Sequence, residues 1–277
     1  MNSGLLISDA VIDRLSERAR TCRRLIIEMT AHARSGHPGP ALSLIDIVCA
    51  LYFHEMRYDP ANPRALERDR FILSKGHAAP ALYAALVEAQ ILKVEELSTF
   101  RQCGGLLQGH PSSKTPGVDA TSGSLGLGLS TACGMALGAR MRGSAARVFA
   151  LIGDGESDEG QVWEAALTAG HQHLDNLVVF TDRNGYQYDG PTASVLNLEP
   201  LADKWRAFGW ATWEIDGHDF QQILAALHEA RGVAGQPKMI LARTIKGKGI
   251  SFMEGSQVYH ATAPTQEEAA RALAELQ

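Results

Sequence analysis

The chain has 277 residues, is 45% hydrophobic and interleaves both charge signs, which predicts one folded domain spanning residues 1–277 and excludes a disordered polymer. Its formal net charge of −5 offers no general attraction for nucleic acid or anionic lipid, so neither is an expected partner and an anionic ligand needs a local site. With no leader pattern in Met1–Asp9 and no run of the ~18 apolar residues a membrane span needs, a cytoplasmic setting is expected.

From Asp9 to Ala33, Ile12, Leu15, Ala19, Cys22, Ile26 and Met29 recur at three- and four-residue steps, predicting an amphipathic helix with Asp9 as its cap. Ser35-Gly36-His37-Pro38-Gly39-Pro40 then predicts a rigid turn. A helical pattern runs from Leu42 to Tyr52. Pro60 and Pro63 mark a loop before the apolar stretch Phe71-Ile72-Leu73, which breaks at Ser74-Lys75-Gly76-His77. Residues Ala78 to Ala89 are again helical in composition. Gly-rich loops surround His110 and run from Thr121 to Gly128, and a small-residue helix follows from Ser130 to Met141. The four cysteines, Cys22, Cys49, Cys103 and Cys133, have no metal-binding spacing and read as small buried hydrophobes.

The rhythm then changes. Val148–Ile152, Leu177–Thr181, Ala211–Ile215 and Met239–Ala242 are strand candidates, with helices near Gln161–His171, Pro200–Phe208 and Phe220–Ala230 between them and a terminal helix in Pro264–Gln277. Strand alternating with helix predicts an α/β fold: a doubly wound, mostly parallel sheet with helices on both faces.

In such a sheet, ligands gather beyond the carboxyl ends of the strands. The run 148–152 ends in Gly153-Asp154-Gly155, and the run 177–181 in Asp182-Arg183-Asn184-Gly185-Tyr186. One helix fits between them, so they should be neighbouring strands with Asp154 and Asn184 on one rim. An Asp carboxylate and an Asn carbonyl are hard oxygen ligands. With one backbone carbonyl, for which Tyr186 is the candidate, plus water and phosphate oxygens, they would complete an octahedral shell for Mg²⁺. Gly155 removes a side chain where phosphate must approach, and the helix after Glu159 offers its positive end.

The segment from Gly153 to Gly190 resembles the thiamine diphosphate motif, which runs from Gly-Asp-Gly to an Asn about thirty residues on. Ser-Gly-His-Pro-Gly at 35–39, Asp-Arg-Phe-Ile-Leu-Ser-Lys-Gly-His-Ala at 69–78, Gln-Gly-His-Pro at 108–111, Thr-Ser-Gly-Ser-Leu-Gly-Leu-Gly at 121–128 and Thr-Ile-Lys-Gly-Lys-Gly at 244–249 are similar to transketolases in particular. These motifs cover essentially the whole chain in order. The resemblance implies thiamine diphosphate and Mg²⁺, or another divalent cation such as Ca²⁺ or Mn²⁺, as cofactors.

It also implies roles. His37 and His110 would meet the sugar hydroxyls and carbonyl, and His260 would stand between diphosphate and substrate, making these three the candidate catalytic residues. His77 and Lys246 would lie at the cofactor, with Gly123, Ser124 and Leu125 passing beneath it. Glu159 and Glu164 resemble acidic residues near the family's subunit interface, and equally suit the first turns of a helix. Tyr259-His260-Ala261-Thr262 and Pro40 depart from common family patterns on the substrate side.

The Glu that activates the cofactor's aminopyrimidine lies, in that family, on a later pyrimidine-binding domain, and this chain ends at Gln277 before one begins. The resemblance therefore implies a separate subunit carrying the pyrimidine-binding and C-terminal domains, in a complex of two chains of each kind, with contact helices such as Thr131–Met141. The reaction implied is two-carbon ketol transfer from a ketose phosphate to an aldose phosphate. Pentose phosphates are the default substrates, and a branched or sulfonated sugar is equally compatible. The alternatives are another thiamine diphosphate enzyme, such as one like deoxyxylulose phosphate synthase, and a catalytically silent cofactor-binding subunit.

Overall fold

The computed structural model describes residues 7–277. Helix α1 (Asp9–Ala33) buries Leu15, Ala19, Cys22, Ile26 and Met29, the stripe that its three- and four-residue spacing places on one face. Its cap is Ser8, without a side-chain bond, and Asp9 is its first helical residue. The chain leaves it through Arg34 in the left-handed region, φ 49°.

Helix α2 (Pro38–Ala50) corrects the expected turn: Pro38, Gly39 and Pro40 form its first turn. Proline lacks only an N–H that has no intrahelical partner at a helix start, so it opens a helix as readily as it ends one. Every residue of α2 is buried, which leaves no polar face to mark its ends. A π-helical turn, Leu51–Glu55, continues it.

After β1 (Arg70–Leu73) and α3 (Ala79–Glu88), the loop 100–126 leads into α4 (Leu127–Met141). There follow β2 (Val148–Gly153), α5 (Gly160–His171) and β3 (Leu177–Arg183). A two-residue hairpin, β4 (Tyr186–Gln187) with β5 (Gly190–Pro191), and two short helices, α6 (Thr192–Val195) and α7 (Leu201–Ala207), come next. The chain closes with β6 (Ala211–Asp216), α8 (Phe220–Arg231), β7 (Lys238–Arg243) and α9 (Gln266–Glu275).

The five long strands form one parallel sheet in the order β1-β2-β3-β7-β6. Alternate residues separate into two cores. Phe71, Leu73, Phe149, Leu151, Val178, Phe180 and Ile240 face one cluster, which α1, α2, α3 and α8 cover. Ile72, Val148, Ala150, Ile152, Val179 and Leu241 face the other, under α4, α5 and α7. Burial on both faces explains why these strands read as continuous apolar runs, and the doubly wound reading holds. Of the cysteines, Cys22, Cys49 and Cys133 are buried, while Cys103 is exposed in a loop, contrary to its reading as a buried hydrophobe. No helix among the described residues is long and apolar enough to cross a membrane.

Candidate active site

The strand ends of β1, β2 and β3 and the start of α2 enclose a cavity of about 380 Å³. β2 and β3 pair in parallel, with Gly153 beside Asp182, so Asp154 and Asn184 share one rim as expected and both line the cavity. Asp154 accepts from Gly155 N at 2.8 Å and from Gly185 N at 2.6 Å, tying the two strand ends together. Burial, reinforced by the neighbouring Asp182 charge, pushes its carboxyl up to about 6. A cation between Asp154 and Asn184 would reverse that balance.

Asn184 has its orientation set from behind. Its Nδ2 donates to Asp182 at 3.1 Å. Asp182 is fully buried and also accepts from Ser43 Oγ at 2.6 Å, from Lys75 Nζ at 2.6 Å and from Thr244 Oγ1. Burial alone would raise the Asp182 carboxyl; the Lys75 ammonium and these bonds outweigh it and hold it below the usual carboxylate range. Because a carboxylate only accepts, the Asn184 amide must turn its oxygen the other way, where Oδ1 meets Tyr186 N at 3.0 Å. Among the described residues no group of three or more His, Cys, Asp or Glu is arranged to hold a metal. One carboxylate and one amide oxygen suit a hard cation that takes few protein ligands and completes its shell with ligand oxygens.

Gly155 lines the cavity, and a Cβ there would lie 2.5 Å from Gln187 Cβ. The hairpin, as well as any phosphate, therefore demands glycine. The element facing the cavity beyond Asp154 is a 3₁₀ turn, Gly155–Asp158, and α5 begins only after it, with exposed Glu159 as cap. Glu164 is exposed on the same helix.

The opposite wall is histidine. The rings of His37 and His77 are 5.3 Å apart, His77 and His260 stack at 5.5 Å, and His37 meets His260 at 6.0 Å. Burial, with nearby cations, lowers His37 to about 4, His260 to about 3 and His77 well below its ordinary value. All three are neutral at neutral pH. His37 Nδ1 is buried and has no hydrogen-bond partner within the chain, the kind of orphaned polar atom that native structures rarely leave unsatisfied.

Gly123 and Leu125 line the cavity, while Ser124 is exposed on the same loop. His110 is exposed and packs its ring over Gly123, where a Cβ would sit 3.4 Å from His110 Cδ2. It lies apart from the three half-buried histidines and does not line the cavity. Lys246 lies behind His260, buried, with Nζ 2.7 Å from His260 Nδ1, 3.1 Å from Gln257 Oε1 and 5.2 Å from the centre of the Tyr186 ring. Burial and the Lys75 charge lower its amine to about 8.

Sequence reasoning missed Lys75 and Glu156. Lys75 sits at the carboxyl end of β1, and that position was the signal. Buried Glu156 accepts from Gly126 N at 2.9 Å, Gly153 N at 3.0 Å and Ser74 Oγ, fixing the Gly-rich loop to two strand ends. Nothing in the sequence marked it, because two of its three partners, Gly126 N and Ser74 Oγ, lie 30 and 82 residues away in the chain.

Residues 15–276 match the family model described as "Transketolase, thiamine diphosphate binding domain". The chain belongs to the transketolase family. Along 272 residues it is 47% identical to the 6-deoxy-6-sulfo-D-fructose transketolase subunit SqwG of Clostridium sp. (strain MSTE9), covering 98% of each chain. It is 41% identical over 266 residues to an apulose-4-phosphate transketolase subunit of Actinobacillus succinogenes (strain ATCC 55618 / DSM 22257 / CCUG 43843 / 130Z), covering 95% of this chain and 96% of that one. Transketolase from Campylobacter jejuni subsp. jejuni NCTC 11168 superposes with a TM-score of 0.91 at 34% identity, over 95% of this chain and 43% of that one. The chain thus spans under half the length of that solved transketolase, and its transketolase fold is the thiamine diphosphate binding one.

Proposed function

We propose that this chain is the diphosphate-side subunit of a split transketolase, moving a two-carbon ketol unit from a ketose to an aldose together with a partner that carries the pyrimidine-binding and C-terminal domains. The observation that carries this reading is the single cavity in which oxygen donors Asp154 and Asn184 face neutral His37, His77 and His260. The names of the relatives matched along their whole length, which are transketolase subunits, support the partner.

Asp154 and Asn184, with the backbone of Tyr186, would hold Mg²⁺, or Ca²⁺ or Mn²⁺, against the diphosphate, and Gly123, Ser124, Leu125, Gly155, His77 and Lys246 would pack around it. Thiamine diphosphate supplies, when bound, the nucleophilic carbon and the electron sink that carbon–carbon cleavage needs. The chain's own task is orientation and hydrogen bonding. His260 Nδ1 accepts from Lys246, so the ring proton sits on Nε2 and makes that atom a donor. His37, which lines the cavity, would meet a sugar oxygen there, and His110, on the loop beside Gly123, would approach the same substrate. Neutral donors of this kind stabilise an oxyanion without giving up a full charge.

The donor class we favour is a ketose with a terminal phosphate or sulfonate. Co-purify the chain with a candidate pyrimidine-side partner, then assay two-carbon transfer from xylulose 5-phosphate and from 6-deoxy-6-sulfofructose to an aldose phosphate, with and without thiamine diphosphate and Mg²⁺. Transfer should require both chains and both cofactors, and Asp154→Ala should abolish it. Full turnover by the chain alone, or by Asp154→Ala, would sink the reading.

A further inference from the structure

Lys246 is flanked by two anchors that meet at one buried carboxylate. On its N-terminal side, Ile245 N donates to His218 Nε2 at 2.8 Å. On its C-terminal side, Lys248 O accepts from Arg23 Nε at 3.1 Å. Both anchoring side chains end on Asp46: Arg23 binds it through two bonds, 2.9 Å to Oδ1 and 2.6 Å to Oδ2, and His218 Nδ1 lies 2.7 Å from Oδ2. Arg23 comes from α1, Asp46 from α2 and His218 from the turn between β6 and α8, so three elements converge on one loop.

The hydrogen-bond logic leaves one arrangement. Ile245 N–H can only donate, so His218 Nε2 is the acceptor, its proton is on Nδ1, and Nδ1–H donates to Asp46. Histidine here is a neutral bridge with a fixed tautomer, and Arg23 with Asp46 forms a paired, forked ion bond that leaves no net charge in the core. The fit behind the loop is close. A Cβ on Gly249 would lie 3.0 Å from Arg23 Cδ, and a Cβ on Gly247 would lie 2.3 Å from Met253 O. Gly247 N also donates to Gly39 O at 3.1 Å. The backbone at 245, 247 and 248 is therefore pinned, and the residue projecting between the pins is Lys246, against His260.

We propose that Asp46, acting through His218 and Arg23, positions Lys246 and thereby fixes the tautomer of His260 at the cavity. Asp46, His218 and Arg23 are positioning residues: none lines the cavity that holds Asp154 and Asn184. Asp46 is the element common to both anchors, so the device is one carboxylate deep inside α2 controlling a lysine on a different loop. The inference deepens the proposed role of Lys246 at the cofactor, but the placement itself can be read without any cofactor.

The experiment is competitive acetylation of the folded full-length chain with trace acetic anhydride, read peptide by peptide by mass spectrometry, in wild type, His218→Ala and Asp46→Asn. Lys238, buried at the opposite end of the sheet, is the internal control. Both variants should raise Lys246 labelling severalfold and leave Lys238 unchanged. In the second arm, thiamine diphosphate affinity measured calorimetrically with Mg²⁺ should fall about tenfold in His218→Ala, the scale on which residues supporting a ligating group act. In a Lys246→Ala background His218→Ala should cost nothing further. Lys246 labelling that stays at the wild-type level, or rises only in step with Lys238, overturns the proposal. Increased Lys246 labelling with unchanged cofactor affinity keeps the positioning device and removes Lys246 from the cofactor. Should His218→Ala fail to fold, Asp46→Asn, which keeps the side-chain shape, carries both arms.

Discussion

His37, His77 and His260 form a neutral wall because burial disfavours charge on each and their ring centres are only 5.3–6.0 Å apart, so a proton on one also raises the cost of a proton on the next. With His37 lowered to about 4 and His260 to about 3, their ring proton resonances in the cofactor-free chain should not titrate above pH 5, which proton NMR of the imidazole Cε1–H groups will show. A midpoint near 6.5 for either would mean that the wall is solvated. The sign for stability follows. A histidine whose folded value lies below its unfolded value of about 6.5 binds fewer protons when folded, so it costs nothing above pH 6.5 and costs increasingly as pH falls toward 4. Asp154, raised to about 6, acts in the opposite direction between about 4 and 6. His37→Asn should therefore flatten the fall of the melting temperature between pH 6.5 and 4, as differential scanning calorimetry can measure. The Lys75–Asp182 pair belongs to the same scale. Both partners are buried, and Lys75→Met leaves Asp182 charged without its ammonium, so unfolding should become easier by about 3–5 kcal/mol in a urea titration.

At the scale of elements, α4 packs its N-terminal turn onto the end of β1. A Cβ on Gly128 would lie 2.3 Å from Ser74 Oγ and 2.6 Å from Ser74 Cα, and Ser74 in turn holds Glu156. Gly128→Ala must push helix and strand apart at the cavity floor, at a cost of about 1–3 kcal/mol. Gly134, on the exposed side of the same helix, has nothing within 4 Å of an added Cβ. Gly134→Ala should stabilise the isolated chain by roughly 0.5–1 kcal/mol, because alanine gives up less backbone freedom in a helix. Chemical denaturation of the two variants side by side tests opposite signs on one helix. Legibility in the sequence followed the same physics. Strands buried on both faces announce themselves as apolar runs, and α1 with one wet face announces itself by period. Of α2, the stretch from Leu42 on was legible as helix but its first turn was not, since its prolines read as stops and burial on all sides leaves no polar face to mark the start. Asp154 and Asn184 were legible because they directly follow strand runs. Glu156, His218 and Asp46 were not, because their roles exist only through partners from other segments that the fold brings together: Gly126 N and Ser74 for Glu156, Ile245 N for His218, and Arg23 with His218 for Asp46.

For the whole molecule, the surface around the cavity and along α4 and α5 carries large apolar side chains open to solvent: Tyr188 at 71% exposure, Val258 at 64%, Met141 at 80% and Leu167 at 59%. Met141 and Leu167 are scattered along α4 and α5, which is ordinary, but Tyr188 lines the cavity and Val258 lies two residues from His260, so an apolar rim adjoins the polar site. Tyr188 reaches His260 edge-on at 5.6 Å, so a partner covering Tyr188 would also close the histidine wall to water and strengthen every hydrogen bond inside it. In the proposed split enzyme, hydrogen exchange of the 186–196 and 256–262 segments should slow when the pyrimidine-side chain is added. Tyr188→Glu should weaken the pair while leaving the stability of the isolated chain within about 0.5 kcal/mol of wild type. If those segments exchange equally fast in the assembled pair, the partner docks elsewhere, and the apolar rim serves only the chain itself.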